Sequence, residues 1–306
     1  MDRFLCLLVV AAAIAAGSLS FDVARAQEPG AAAAKIEITP LGGGVAMLRG
    51  RGGNQAVSVG PDGILVVDAE YANLADEVIA AIEKLAPGGP RFVIDTHWHG
   101  DHTGGNARLV AAGGLVLAHD AVRTRMSREQ FIEAFGRKVP ASPEAARPVV
   151  TYSETLTVHW NGGAVRVVHV PRAHTDGDSL VVFEAADVLH TGDVFFVGSF
   201  PFIDLSSGGS LDGVIAAAKR ALTLAGPDTR IIPGHGPLAD RAELQAYVEM
   251  LTTVRDRLVS FVAEGLSTDE VIARRPASEF EERYGGGAFG AEHFLRIAYE
   301  SIRARD

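Results

Sequence analysis

The run THWHGDHTGGN, residues 96–106, sets three histidines and an aspartate within six positions, His97 to His102. A solvated turn has no need of so many imidazoles, and an apolar core has no place for them. A metal centre needs them. In an extended segment alternate side chains share a face, so His97 and His99 can reach one point while Trp98 points away. Gly100 lets the chain turn, which brings Asp101 and His102 to a second point close by. That spacing suits two adjacent cations. Neutral imidazole nitrogens and carboxylate oxygens suit zinc, at about 2.0–2.2 Å, so the cofactor expected is Zn²⁺, two ions per chain.

Three later segments offer further donors, each at the end of an apolar strand. His174 stands in PRAHTDGDS, a loop rich in glycine and aspartate; Asp193 follows a glycine in LHTGDVFF; His235 lies between glycines in IIPGHGP. In α/β folds, ligand-binding residues collect at such strand exits.

The elements that must carry these donors alternate. GILVVDA and RFVIDT are near-continuous apolar runs of the kind buried on both faces of a sheet. Between them NLADEVIAAIEKLA has helical spacing, with Asn73 expected as its N-cap. TLTVHW, AVRVVHV, SLVVFEA, DVLHTGD and TRIIPGHG read as strands, and SLDGVIAAAKRALTLAG as a helix capped by Ser210. Strands mixed with helices in two similar halves predict a layered α/β sandwich. Beyond residue 240 the strands stop. Leu244, Tyr247, Val248, Leu251, Val254, Leu258 and Phe261 form one helical stripe, and Ser267 to Glu270 reads as a capping box. Residues 36–240 are therefore expected as the main domain, with 241–306 a helical extension packed on it.

The first 26 residues stand apart. FLCLLVVAAAIAAG is apolar, follows Arg3 and precedes Ala24-Arg25-Ala26, an A-x-A cleavage pattern. It is shorter than the roughly 20 residues of a membrane span and reads as a secretory signal peptide, which implies a periplasmic or secreted protein. Residues 27–35 read as a flexible leader. The only cysteine, Cys6, lies in the signal segment, so the mature chain would have no disulfide and no thiol ligand. The formal net charge of −10 argues against a nucleic-acid partner.

Taken in order, His97-Trp98-His99-Gly100-Asp101-His102, His174 in HTDGD, Asp193 in TGD and His235 in PGHG resemble the metallo-β-lactamase superfamily over roughly residues 36–240. The resemblance implies a four-layer αββα sandwich with metals in the cleft along one edge of the two sheets. It implies that His97, His99 and His174 hold one zinc, that Asp101, His102 and His235 hold the other, and that Asp193 bridges them. Two zinc ions, two aspartates and a bridging hydroxide would leave one net positive charge, which draws an anionic or polarised group. The hydroxide would attack a carbonyl or phosphoryl centre while Asp101 steers or takes the proton. The activity implied is an exported dinuclear zinc hydrolase that cleaves an amide, lactam, ester or thioester bond of a small molecule.

The departures matter too. The best-known secreted zinc β-lactamases have a cysteine where Asp193 stands and a lysine at the place of Phe196. Aspartate there is closer to the thioester-hydrolysing glyoxalase II branch, although no basic cluster for glutathione's carboxylates stands out. Histidine at 99, where di-iron relatives have glutamate, favours zinc. A mononuclear iron oxidoreductase like the persulfide dioxygenases, using His97, His99 and Asp193, and a metal-bearing accessory protein without turnover stay open as alternatives.

Metal-bound histidines usually donate their other nitrogen to an acceptor. Asp68, ending GILVVDA, is the first candidate, with Asp95 and Thr96 behind it. Phe200, Phe202 and Ile203 are expected at the mouth of the cleft, beside a substrate with a hydrophobic part. His119, His159, His169 and His293 read as ordinary surface or strand residues, and His190 as a residue near the site without an assigned role.

Overall fold

Strands such as GILVV, apolar on both faces, demand a covering layer on each side. A computed structural model, describing residues 35–287 and 289–304, shows those layers. The signal segment read at 1–26, with Cys6, and the leader up to residue 34 lie outside the described residues. No helix among the described residues is long and apolar enough to cross a membrane.

In chain order the strands begin β1 (Glu37–Gly42), β2 (Val45–Arg49), β3 (Gln55–Gly60), β4 (Gly63–Val67), β5 (Pro90–Ile94) and β6 (Leu115–His119). A separate hairpin, β7 (Gln130–Ile132) and β8 (Arg137–Val139), precedes β9 (Val150–Tyr152). These form a seven-stranded sheet, β1-β2-β3-β4-β5-β6-β9, antiparallel up to β4 and parallel from β4 onward. The second sheet is β10 (Thr155–Trp160), β11 (Gly163–His169), β12 (Ser179–Phe183), β13 (Val188–His190) and β14 (Arg230–Ile232), with only its last pair parallel.

The helices are α1 (Ala75–Leu85), α2 (Gly100–Thr103), α3 (Asn106–Ala111), α4 (Asp120–Met126), α5 (Leu211–Leu224), α6 (Arg241–Ala263), α7 (Thr268–Ala273), α8 (Glu281–Tyr284) and α9 (Ala291–Arg303). The two sheets share an inner core in which Leu65, Val67 and Ile94 meet Val167, Val181 and Ile232. Val78 and Ile82 of α1 and Leu109 of α3 cover the outer face of the first sheet, against Val57, Val66 and Val93. On the outer face of the second, α5, α6 and α9 pack on Leu180, Leu189 and Ile231. The result is the expected four-layer αββα sandwich, with the C-terminal helices sharing the core of its last layer.

Local signals hold where the chain is left to itself. Ser210 accepts the Gly213 N–H at the start of α5 (3.1 Å), and Ser267 with Glu270 forms the capping box of α7. A second box, Asp240 with Glu243, starts α6. Asn73 does not cap α1. It lies inside a 3-10 turn, Ala72–Leu74, whose Leu74 N–H is taken by the Tyr71 carbonyl at 3.0 Å. The chain reaches that turn from two left-handed residues, Asp68 (φ 63°) and Glu70 (φ 61°), so tertiary placement overrides the local cap.

Candidate metal centre

Parallel strands end at the same edge of a sheet, and antiparallel ones begin there. β4 and β5 run in parallel and lead into Asp68 and into His97 and His99. β13 and β14 also run in parallel and lead into Asp193 and His235. β12 runs against β13, so the loop that enters it carries His174 to that same edge. Five loops from two sheets thus converge, four of them carrying the candidate metal donors.

His97, His99 and His174 bring one nitrogen each within 4.8 Å of one another, a first group able to hold a metal ion. The His99 Nε2–H donates to Asp204 (3.0 Å) and the His174 Nδ1–H to the Phe202 carbonyl (2.8 Å). Each ring therefore turns a bare nitrogen inward, and His99 Nδ1 faces His174 Nε2 at 2.8 Å. Two lone pairs at that separation repel unless a cation lies between or beside them. Burial holds the His174 imidazole down to about 4, so a proton is a poor candidate for that cation. His97 Nδ1 points to Thr96 Oγ1 (3.1 Å), and its Nε2 is buried with no hydrogen-bond partner among the described residues. An orphaned buried acceptor of this kind requires a partner.

Asp101, His102 and His235 form a second such group. The His102 Nδ1–H donates to Asp68 at 2.7 Å, leaving Nε2 3.4 Å from His235 Nε2 and 3.7 Å from Asp101 Oδ2. Asp193 spans the two groups. Its Oδ1 lies 3.0 Å from His102 Nε2 and 3.4 Å from His235 Nε2, and its Oδ2 lies 3.6 Å from His174 Nε2 and 3.9 Å from His97 Nε2. The distances suit donors grouped around cations, and the donor set suits zinc.

Asp68 serves both groups. Its Oδ2 accepts from His102 and from Thr96 Oγ1 (2.8 Å), which in turn sits on His97, while its Oδ1 accepts the Thr96 N–H (2.7 Å). A left-handed φ at a non-glycine residue is strained, and here it delivers this carboxylate. Asp95 instead accepts from Asn106 Nδ2 at 2.9 Å and touches no histidine of the centre.

The electrostatics reflect the crowding. Burial opposes charge on His102, but Asp193, Asp68 and Asp101 outweigh it and hold its pKa well above the ordinary range. Burial likewise opposes the His235 charge, yet Asp193 and Asp101 raise that pKa to about 10. In exchange, His102 and His235 hold Asp193 well below the carboxylate range against the cost of its burial. These groups are positioned to surrender protons to a metal.

The centre opens on one side. Asp101 and His235 are 21% and 30% exposed at their side chains, while His97, His99, His102 and His174 are buried. Phe196 stacks on the His235 ring (5.3 Å, 15°).

Other expectations shift. Phe200 and Ile203 do not stand at a cleft mouth: Phe200 is wholly buried against Phe294 and Tyr284, and Ile203 belongs to the same core. Of the three only Phe202 has a ring near the imidazoles of the centre. His159 is exposed, and His119 stacks on His169 at 3.7 Å, away from the centre. His190 bonds to Asn54 and Gly192 behind Asp193. Asp204 escaped the sequence reading. Its only signal was a lone carboxylate in the apolar stretch FPFIDLSS, which marks no partner until the loop is folded.

Two sheets face to face beneath outer helices, with a His/Asp centre at the shared strand edge, define one class of α/β sandwich. Residues 48–235, more than half of the chain, match the metallo-beta-lactamase superfamily, and the chain belongs to it. The lactamase-like protein aptB of Emericella nidulans is 26% identical over 204 residues, covering 66% of this chain and 57% of that protein. The chain thus spans less than two thirds of that relative. A hydroxyacylglutathione hydrolase of a Shewanella species is 28% identical over 206 residues, 63% of this chain and 68% of the relative. Among solved structures, the metallo-beta-lactamase from Pontibacter korlensis superposes with a TM-score of 0.56 at 18% identity, over 71% of this chain and 99% of that one. The sec-alkylsulfatase Pisa1 from Pseudomonas sp. reaches 0.64 at 15% identity, over 87% and 50%. At such identities the two structures speak to the fold alone.

Proposed function

We propose that this protein is an exported zinc hydrolase with two metal sites, cleaving an amide, lactam, ester or thioester bond of a small molecule. The observation that carries the reading is the pair of bare nitrogens, His99 Nδ1 and His174 Nε2, facing each other at 2.8 Å beside the orphaned His97 Nε2. His97, His99 and His174 would hold one ion, Asp101, His102 and His235 the other, with Asp193 between them. Family membership and the hydroxyacylglutathione hydrolase and lactamase-like relatives support hydrolysis as the reaction.

Zinc held there would supply Lewis acidity, lowering the pKa of a water and polarising the scissile carbonyl. The rest falls to the chain. Asp101, on the open side, accepts the proton of the attacking water and returns it to the leaving group. The Phe196 ring covers one face of His235, and Asp68 and Asp204 fix the inward nitrogens. Phe196 in place of a substrate-gripping lysine favours esters and thioesters over efficient β-lactam cleavage.

The test pairs metal analysis with chromogenic lactam, ester and thioester substrates, with and without a chelator. Two zinc per chain and chelator-sensitive turnover are expected, and Asp101→Ala should abolish turnover while the first ion stays bound. A single iron per chain with oxygen uptake, or silence of the zinc-loaded protein on every substrate, overturns the reading. Export is checked by the N-terminus of periplasmic protein, expected to begin after Ala26.

A further inference from the structure

Phe202 lies beside the centre, its ring 6.1 Å from that of His99 and 5.6 Å from that of His174. Three further rings gather on it from segments far apart in the chain. Phe135, in the turn between β7 and β8, is 4.8 Å away. Phe289, just before α9, is at 5.3 Å, and His293, in the first turn of α9, at 6.3 Å. These three also pair among themselves, Phe135 with Phe289 at 6.0 Å, Phe135 with His293 at 6.3 Å and Phe289 with His293 at 5.1 Å.

Phe202 is buried, but the other three rings are only partly so. The three pack against the core yet keep part of their surface exposed, and they connect to the centre through Phe202. Burial lowers the His293 pKa, so that ring is neutral at neutral pH and presents an aromatic face.

The place of Asp101 sets the direction. Asp101 must reach the leaving group to return its proton, so the leaving group lies on the Asp101 and His235 side. The acyl portion would then extend the opposite way, over the narrow exposed edge of His99 (8% at its side chain) toward Phe202 (5%). Resting on the hydrolytic reading above, we propose that Phe135, Phe202, Phe289 and His293 form the subsite for an apolar acyl group, aryl-alkyl or medium-chain alkyl, of the substrate. The C-terminal helices are on this account part of the substrate site, through Phe289 and His293.

The test is equilibrium binding of a carboxylate series, acetate, butyrate, hexanoate and 3-phenylpropionate, to the full-length zinc-loaded protein. The same series is read with cobalt in place of zinc, where a change in the visible spectrum reports the carboxylate at the metal. Affinity should climb about three- to fourfold per added methylene, the usual yield of burying one, and 3-phenylpropionate should perturb the cobalt spectrum. In Phe135→Ala and Phe289→Ala the climb should flatten at unchanged metal content, and His293→Phe should keep it while His293→Asp loses it.

A flat series in the unsubstituted protein, or no binding by 3-phenylpropionate, overturns the proposal. So does a climb that survives both alanine variants while melting temperature falls, since the rings would then only tie the β7–β8 hairpin to α9. Self-association lost in Phe135→Ala alongside a flat series would assign the rings to a second copy of this chain. The two readings fail separately. Silence on the substrate panel with a steep series removes the hydrolase and keeps the subsite, and turnover with a flat series does the reverse.

Discussion

Asp204 and Asp68 do different work through the same chemistry. Asp204 orients His99 alone, together with the hydroxyls of Ser206 and Ser207, each 2.5 Å away. Asp68 orients His102 directly and His97 through Thr96. Removing an acceptor behind a metal-bound histidine weakens affinity about 10–100-fold. Asp204→Ala should therefore weaken the first ion only and Asp68→Ala both, as read by chelator competition; equal loss of both ions in Asp204→Ala contradicts the assignment. Protons obey the same geometry. The metal-free His235 has its pKa raised to about 10, so it is charged at neutral pH and must lose a proton to bind an ion. Affinity for the second ion should rise with pH through neutrality toward about 10 and fall as pH drops. Calorimetry in buffers of different ionisation enthalpy should show that proton released, and a buffer-independent heat would count against it.

At the scale of elements, the loop between β2 and β3 binds the two sheets at the centre. The Gly53 N–H donates to the Asp101 carbonyl (3.0 Å), the Asn54 N–H to Gly234 (2.8 Å) and Asn54 Nδ2 to Pro233 (2.8 Å). A Cβ at Gly53 would overlap the His102 ring, and one at Gly234 would overlap Asp193 Oδ1. Glycine is needed at both because loop and donors touch. In Gly53→Ala the His102 ring must move, with a cost of about 1–3 kcal/mol typical of overpacking. Metal analysis should find the second ion lost and the first retained. Full occupancy of both would show that the loop has slack.

Across the whole molecule, the centre is where two sheets with separate outer helices are joined by charged groups. Without cations, those buried histidines and carboxylates satisfy one another only in part. Ions that bind the folded chain alone stabilise it by about 2.7 kcal/mol each at a hundredfold excess over Kd. For a domain of this size that corresponds to melting several degrees higher. Chelation should lower the melting temperature accordingly in scanning calorimetry, with recovery on adding zinc. An unchanged transition would mean that the four loops are held in place without metal.

The alternation of apolar strands and amphipathic helices was legible because burial imposes its period on every element, and with it a layered α/β sandwich; the αββα order was implied by the resemblance of the motifs. The donors in HWHGDH were legible because six consecutive positions hold four of them, although the structure sets them on a bend after β5 and on α2 rather than on a strand. Other features depend on distance across the fold, which no local period encodes. Asp204 finds His99 more than a hundred positions away, and Phe135 meets Phe289 across half of the chain. Asn73 loses its cap to the strained turn before it, and Phe200 goes to the core because helices that follow it much later cover it. Sequence alone determined which residues can bind and how each element is built. The tertiary structure decided which way each ring turns, which carboxylate stands behind it and which side of the centre is open, because those depend on the packing of separate segments.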